Sequence, residues 1–227
     1  MELPSYPSTI NNRKFIADIL NLYLPKNGDV LETASGTGEH ICYFGKKFSG
    51  LRWQPSDKSS ELFWAIRVRA LEKSNVSEPL LLDLSGNNLR VKEKSYDVLL
   101  NINMIHIAPW DACLGLFRLA KEVISPDGII YLYGPFKVGG SHTSESNHRF
   151  DIALRGRNSS WGVRNLEDVI NIAKNCGFFD YDVHEMPVNN KSVIFKKNNQ
   201  ANISVKMGKN NRVSTSGVLK RRAMDLP

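Results

Sequence analysis

Short apolar runs alternate with helix-periodic stretches along most of this chain, and that alternation leaves few architectures open. Residues 12–23 put Phe15, Ile16, Ile19, Leu20 and Tyr23 on one helical face, and Leu24-Pro25-Lys26-Asn27-Gly28 breaks the period. A strand follows at 29–33, then a glycine-containing turn, a helix over 38–48, a second strand over 51–56, near whose end Pro55 stands, and a helix over 59–73. Leu80-Leu81-Leu82-Asp83-Leu84 is the kind of apolar run that a parallel strand covered on both faces needs. The second half repeats the rhythm: a strand at 96–102, a helix over 110–124 entered through Pro109, a turn at Ser125-Pro126-Asp127-Gly128 and a strand at 128–133. Residues 134–160 are polar and without a clear period, which predicts a functional loop or lid. A helix over 165–175 and strands at 178–186 and 191–196 complete the body.

This order predicts an α/β, doubly wound, mainly parallel seven-stranded sheet with helices on both faces. Only Pro187-Val188-Asn189-Asn190 separates the last two strands. A parallel connection needs a crossover of roughly a dozen residues, so the last strand must run antiparallel. That ending departs from the all-parallel nicotinamide-binding fold and resembles the class I methyltransferase fold.

At 227 residues and 41% apolar content the chain has enough hydrophobic material for one sizeable core. Its expected organisation is a single domain over 1–197 followed by a tail over 198–227. No apolar run approaches the ~18 residues needed to span a bilayer, and Met1-Glu2-Leu3-Pro4-Ser5 has no signal-peptide pattern. A cytoplasmic protein with no membrane association is therefore expected. Cys42, Cys113 and Cys176 are odd in number and widely spaced, which predicts buried free thiols rather than disulfides or a metal set. The net charge of +7 is concentrated at one end: from Lys196 onward there are eight basic residues and one acid, Asp225, so residues 1–195 carry no net charge. A bulk-charge argument for a nucleic-acid partner therefore fails for the folded body. The tail, rich in Asn, Ser and Lys with little apolar periodicity, is expected to be disordered.

The strongest local signal runs through Val30-Leu31-Glu32-Thr33-Ala34-Ser35-Gly36-Thr37-Gly38-Glu39-His40, a strand that passes through small residues into a helix. Ala34, Gly36 and Gly38 let the backbone approach a ligand closely, and the helix start offers free N–H groups. A pyrophosphate-binding turn requires a third glycine where this chain has Ile41. That departure favours S-adenosylmethionine, which has no phosphate to cradle. Glu32 is placed to face a cationic or hydroxyl-bearing part of the ligand. Asp57, just past the second strand, is placed to accept from ribose hydroxyls. Asp83 is placed to accept from an adenine amino group, with the backbone of Leu84 at the ring edge. Asn101 and Asn103, at the end of the fourth strand, complete the expected cofactor side.

Several segments together resemble one family of class I methyltransferases, bacterial and eukaryotic proteins catalogued as a domain of unknown function and represented in animals by a methyltransferase-like protein. They include Val30 to His40, Trp53-Gln54-Pro55-Ser56-Asp57, Asn103-Met104-Ile105-His106-Ile107-Ala108-Pro109-Trp110 and Leu132-Tyr133-Gly134-Pro135-Phe136. Ser146-Asn147 with Phe150-Asp151, Trp161-Gly162-Val163-Arg164 and Met186-Pro187-Val188-Asn189-Asn190 follow in the same order. The resemblance covers about residues 10–197 and implies the fold and the S-adenosylmethionine cofactor. The family usually has a basic residue before the asparagine matched to Asn12, and this chain has Asn11 there.

Transfer of a methyl group from a sulfonium expels a neutral leaving group, so positioning and desolvation carry much of the chemistry. His106 is the best-placed titratable group for a catalytic base. Tyr133, His142, Asn147, Trp161, Arg164 and Asn190 are the candidate acceptor-side residues, suited to a polar or anionic small molecule. No metal site is expected, because His142 and His148 lack supporting carboxylate or cysteine spacing. The leading expectation is a methyltransferase for a small-molecule acceptor. A cofactor-binding protein without catalysis and an RNA methyltransferase guided by the basic tail stay open beside it.

Overall fold

The computed structural model describes residues 2–86, 89, 91 and 95–197; the tail expected over 198–227 lies outside the described residues. In chain order the elements are α1 (Pro7–Tyr23), β1 (Gly28–Thr33), α2 (Glu39–Lys47), β2 (Leu51–Asp57), α3 (Phe63–Ala70), β3 (Leu80–Leu81), β4 (Tyr96–Ile102) and α4 (Trp110–Val123). They continue with β5 (Ile124–Gly134), β6 (Phe136–Val138), β7 (Ser141–His142), α5 (Glu145–Arg157), β8 (Arg164–Asn165), α6 (Leu166–Asn175), β9 (Asp180–Met186) and β10 (Asn190–Lys196). The main sheet has seven strands in the order β3-β2-β1-β4-β5-β10-β9. β1 pairs parallel with both β2 and β4, β5 pairs parallel with β4, and β10 runs antiparallel to β5 and β9.

Alternation along the central strands sends successive side chains to opposite faces. Val30, Val98 and Leu100 enter a core with Ile16 and Leu20 of α1 and Ile41 and Phe44 of α2. Leu31 and Leu99 enter a second core with Leu116 and Phe117 of α4 and Val169 of α6. Each large side chain taken fully out of water contributes roughly 1.5–3 kcal/mol, which is why strands apolar on both faces sit at the sheet centre. Cys42 and Cys113 are buried free thiols, while Cys176 is only partly buried. Burial pushes the Cys42 thiol up to about 11 and the Cys113 thiol up to about 12, so both stay protonated and unreactive near neutral pH. No helix among the described residues is long and apolar enough to cross a membrane.

Four expectations need correction. The stretch read as a lid, 134–160, is ordered as β6, β7 and α5, with β8 joining β6 in a small three-stranded sheet. Its helix was hidden because α5 buries Asn147 and Asp151 along with Leu154, so its inward face carries no apolar period. β3 is an edge strand of two residues rather than a strand covered on both faces, and Leu81 is exposed. Ser125 to Gly128 does not separate α4 from β5; the strand begins at Ile124 and carries these residues in an irregularity, Tyr96 pairing with Ile124 and Val98 with Ile129. β2 runs to Asp57, one residue past the end expected at Ser56, and tolerates Pro55 because the β3 ladder begins only at Ser56 and Pro55 has no strand partner on that side.

Candidate cofactor and acceptor site

The C-terminal ends of β1, β2 and β4 meet at the turn between β1 and α2, where such sheets bind ligands. Ala34 (φ 56°), Gly36 (φ 51°) and Gly38 (φ 78°) are all left-handed, so the chain reverses within five residues. The turn is tied to β2 at several points. Ser35 N–H donates to Ser56 O at 2.9 Å, and Ser56 Oγ donates to Glu32 O at 2.8 Å. The two glycines serve different ends. A Cβ at Gly38 would stand 2.9 Å from Ile66 Cγ1, so α3 packs directly against it, whereas a Cβ at Gly36 would meet nothing within 4 Å. Gly36 borders open space.

Glu32 is only 2% exposed, and its Oε2 has no hydrogen-bond partner among the described residues. Burial pushes its carboxyl up to about 8; a bond from Ser35 opposes the shift, and the charge of Asp57 adds to it. Asp57 braces the turn: its Oδ2 accepts from Gly36 N–H at 2.9 Å and its Oδ1 from Ser59 N–H at 3.2 Å. Asp83 lies just past β3 on the surface, and the Ser85 hydroxyl and N–H, both bonded to its Oδ1, hold its carboxyl below the ordinary range. Leu84 beside it is buried. Asn101 is buried on β4 with its Nδ2 donating to Thr33 Oγ1 at 2.8 Å, so that amide ties β4 to the end of β1. Asn103 follows β4 in a left-handed conformation (φ 59°), its N–H donating to Tyr133 O at 2.9 Å.

Sequence reasoning passed over Glu39, the first residue of α2. Burial works against its charge, but bonds from Tyr6 N–H and Ser5 Oγ and the nearby Arg69 outweigh it, and its pKa is lowered. The N-terminal residues Pro4 to Tyr6 are thereby fastened at the start of α2, with Arg69 also donating to Pro4 O at 2.6 Å. Nothing local in the sequence pairs Ser5 with a residue 34 positions later.

The acceptor-side residues divide into a polar chain and a set of braces. Tyr133 is buried, and burial raises its pKa against bonds from the Asn12 and Asn190 side chains. Asn12 is in turn bonded to His40 Nε2 at 2.8 Å, and burial pushes His40 down to about 4. A buried polar chain thus runs from α2 through α1 to β5 and β10. Asn147 Nδ2 donates to Asn189 O at 2.9 Å, holding the turn in which Val188 (φ 60°) and Asn189 (φ 57°) are both left-handed. Arg164 spends its guanidinium on backbone carbonyls: Nε donates to Ile105 O at 2.9 Å, and Nη2 to Ala108 O at 2.6 Å and Ser160 O at 2.9 Å. It braces the segment after β4 that carries His106. Trp161, half-buried, follows Ser160 in the stretch between α5 and β8.

His142 stacks on His148 at 5.0 Å and approaches Asp151 Oδ2 at 3.3 Å. Asp151 is a hub that spacing did not reveal: it is buried, pairs with Lys137 at 3.1 Å and Arg155 at 3.2 Å, and accepts from Val163 N–H at 2.7 Å. His106 itself is 3% exposed, its Nδ1 has no partner among the described residues, and burial, aided by Arg164, pushes its pKa down to about 4. It is a neutral imidazole at physiological pH.

A family model described as "Protein of unknown function (DUF938)" matches residues 3–197. The chain belongs to this family. Among solved structures it is similar to an O-methyltransferase family protein from Burkholderia thailandensis, with a TM-score of 0.69 and 11% identity over 85% of this chain and 59% of that one. It is also similar to human N-acetylserotonin methyltransferase in complex with S-adenosylmethionine, with a TM-score of 0.70 and 11% identity over 85% of this chain and 53% of that one. PigF with S-adenosylhomocysteine gives a TM-score of 0.68 and 12% identity over 84% of this chain and 56% of that one. The DUF938 chain therefore spans little more than half the length of the structures it matches, and the shared part is the methyltransferase-like Rossmann fold.

Proposed function

We propose that this DUF938 protein binds S-adenosylmethionine at the ends of β1, β2 and β4 and transfers its methyl group to a small molecule. The observation that carries the reading is the buried Oε2 of Glu32, unpartnered among the described residues, on the strand whose turn leaves open space at Gly36. A carboxylate taken out of water with its lone pairs unused costs several kcal/mol, which a well-placed cationic partner offsets. The α-ammonium of S-adenosylmethionine is such a partner. The remaining residues fit the rest of the ligand. Ala34 and Gly36 give a backbone surface without side-chain bulk, with Gly38 behind them letting α3 pack against the turn; Asp57 has lone pairs left for ribose hydroxyls after bracing the turn; Asp83 and the Leu84 backbone suit the adenine edge; Asn103 closes the β4 side, with Asn101 behind it. The bound group supplies a methyl on a positively charged sulfur, and the chain's own task is to orient it and exclude water.

The small-molecule reading rests on the balanced charge of residues 1–195 and on neighbours described as O-methyltransferases. Tyr133, His142, Asn147, Trp161, Arg164 and Asn190 would shape the acceptor side, three of them, Asn147, Arg164 and Asn190, by holding backbone or neighbouring groups in place. Calorimetric titration with S-adenosylmethionine tests the cofactor; absence of binding at millimolar ligand would sink the proposal. Incubation with labelled cofactor and a metabolite extract then tests transfer, label in a small molecule being the expected result and label only in RNA the contrary one.

A further inference from the structure

A cleft of about 450 Å³ opens between the start of α4, the β6–β7 hairpin, the last turn of α5 and the junction of β8 with α6. That is room for a small molecule. Trp110, Lys137, Gly140, Arg155, Arg164 and Asp168 are on its walls. None of the residues assigned to the cofactor lines it, nor do Tyr133, His142, Asn147 or Asn190. Its three cations are held in place. Lys137 and Arg155 grip opposite oxygens of Asp151, at 3.1 Å and 3.2 Å. The Arg155 guanidinium packs on the bare backbone of Gly162, where a Cβ would stand 2.5 Å from Nη2. Its Nη1 and Nη2 make no hydrogen bond among the described residues, and 48% of the side chain reaches water. Arg164 bonds only to the neutral carbonyls of Ile105, Ala108 and Ser160, so its charge is not cancelled. Its Cζ stands 5.4 Å from the centre of the Trp110 ring. Burial lowers the Arg164 pKa, and the charge of Arg155 works in the same direction. An anion in the cleft relieves both costs.

We propose that this cleft binds an aromatic monocarboxylate, its carboxylate bonded by Arg155 and Arg164 and its ring against Trp110. The site goes beyond the cofactor reading and does not require it. Charge selects a monoanion. Lys137, Arg155 and Arg164 supply three positive charges, against one on Asp168 and one on the Asp151 carboxylate that Lys137 and Arg155 share. His142, which also reaches Asp151, adds none near neutral pH, because burial lowers its pKa. The excess is a single charge, so a dianion would leave one of its own uncompensated. A carboxylate also matches the fork of a guanidinium with two parallel bonds. The Trp110 ring and Val163 supply the apolar surface that an aromatic body needs.

The test uses the full chain with 15N-labelled tryptophan and no cofactor. Of the four indole N–H resonances, that of Trp110 is identified by its loss in Trp110→Phe. Benzoate, its neutral amide benzamide and inorganic phosphate are titrated in turn at constant ionic strength. Benzoate should shift the Trp110 resonance saturably, benzamide should not, and phosphate should bind more weakly than benzoate. Arg155→Gln should weaken benzoate about fivefold with a melting temperature close to that of wild type, since Asp151 keeps Lys137 and Val163 N–H. Asp168→Asn should strengthen benzoate about twofold, an effect that loss of folding cannot imitate. No saturable shift from benzoate, an equal shift from benzamide, tighter binding of phosphate, or an affinity unchanged in Arg155→Gln overturns the inference. S-adenosylmethionine binding is measured separately, so failure of the cofactor reading leaves this site standing, and failure here leaves the cofactor reading untouched.

Discussion

If Glu32 receives the ligand's ammonium, binding must be coupled to proton release, and the coupling can be worked out from the structure. Burial pushes the Glu32 carboxyl up to about 8 in the ligand-free protein, so at pH 7 about nine-tenths of the molecules hold a proton that must leave before a charge pair can form. The apparent dissociation constant then exceeds the intrinsic one by about 11-fold at pH 7 and about 100-fold at pH 6. Affinity should therefore rise about ninefold from pH 6 to pH 7, or about 1.3 kcal/mol, and bend over above pH 8, where a free α-amino group of pKa about 7.7–8.0 loses its own charge. Calorimetry at pH 7 in phosphate and in Tris, whose ionisation heats differ, should report close to one proton released, and Glu32→Gln should report none. Buffer-independent heats together with an affinity flat from pH 6 to pH 7 would refute the pairing of Oε2 with the ammonium. The ligand-free protein supplies a second check of sign. The folded-state pKa lies above the unfolded value of 4.5, so stability linked to Glu32 is full below that value and is lost as pH rises towards 8. The melting temperature of Glu32→Gln should accordingly gain on wild type between pH 5 and pH 8.

The two turn glycines should separate stability from binding. Gly38→Ala pushes a Cβ to 2.9 Å from Ile66 Cγ1 at φ 78° and should cost about 2–4 kcal/mol of stability by denaturant melts. Gly36→Ala meets no atom and should cost only the left-handed backbone, about 1–2 kcal/mol, yet lose S-adenosylmethionine binding because its Cβ enters the ligand's space. Asp57→Ala should weaken the cofactor by on the order of 1–3 kcal/mol in titrations. An unchanged affinity there would leave Asp57 only its bracing role towards Gly36 and Ser59.

The parallel sheet, its antiparallel ending and the glycine turn after β1 were legible in the sequence because each leaves a local trace. Val30-Leu31 and Val98-Leu99 are apolar at every step because helices cover both faces. Pro187 to Asn190 is too short for any crossover. Gly36 and Gly38 stand where φ is positive. What stayed hidden depends on partners far apart in the chain. α5 had no readable period because its buried face is Asn147 and Asp151, and a buried polar residue is stable only where distant groups satisfy it: Asn189 O for the first, Lys137 and Val163 N–H for the second. The sequence alone determined, through hydrophobic periodicity, turn chemistry and loop length, what kind of sheet forms and where its glycine turn lies. Tertiary structure alone decided which polar groups are satisfied. Asn101 and Arg164 found partners and became braces, whereas Glu32 Oε2 and His106 Nδ1 have none among the described residues; the three-dimensional surroundings of an atom, and not its neighbours in the chain, set which outcome it meets.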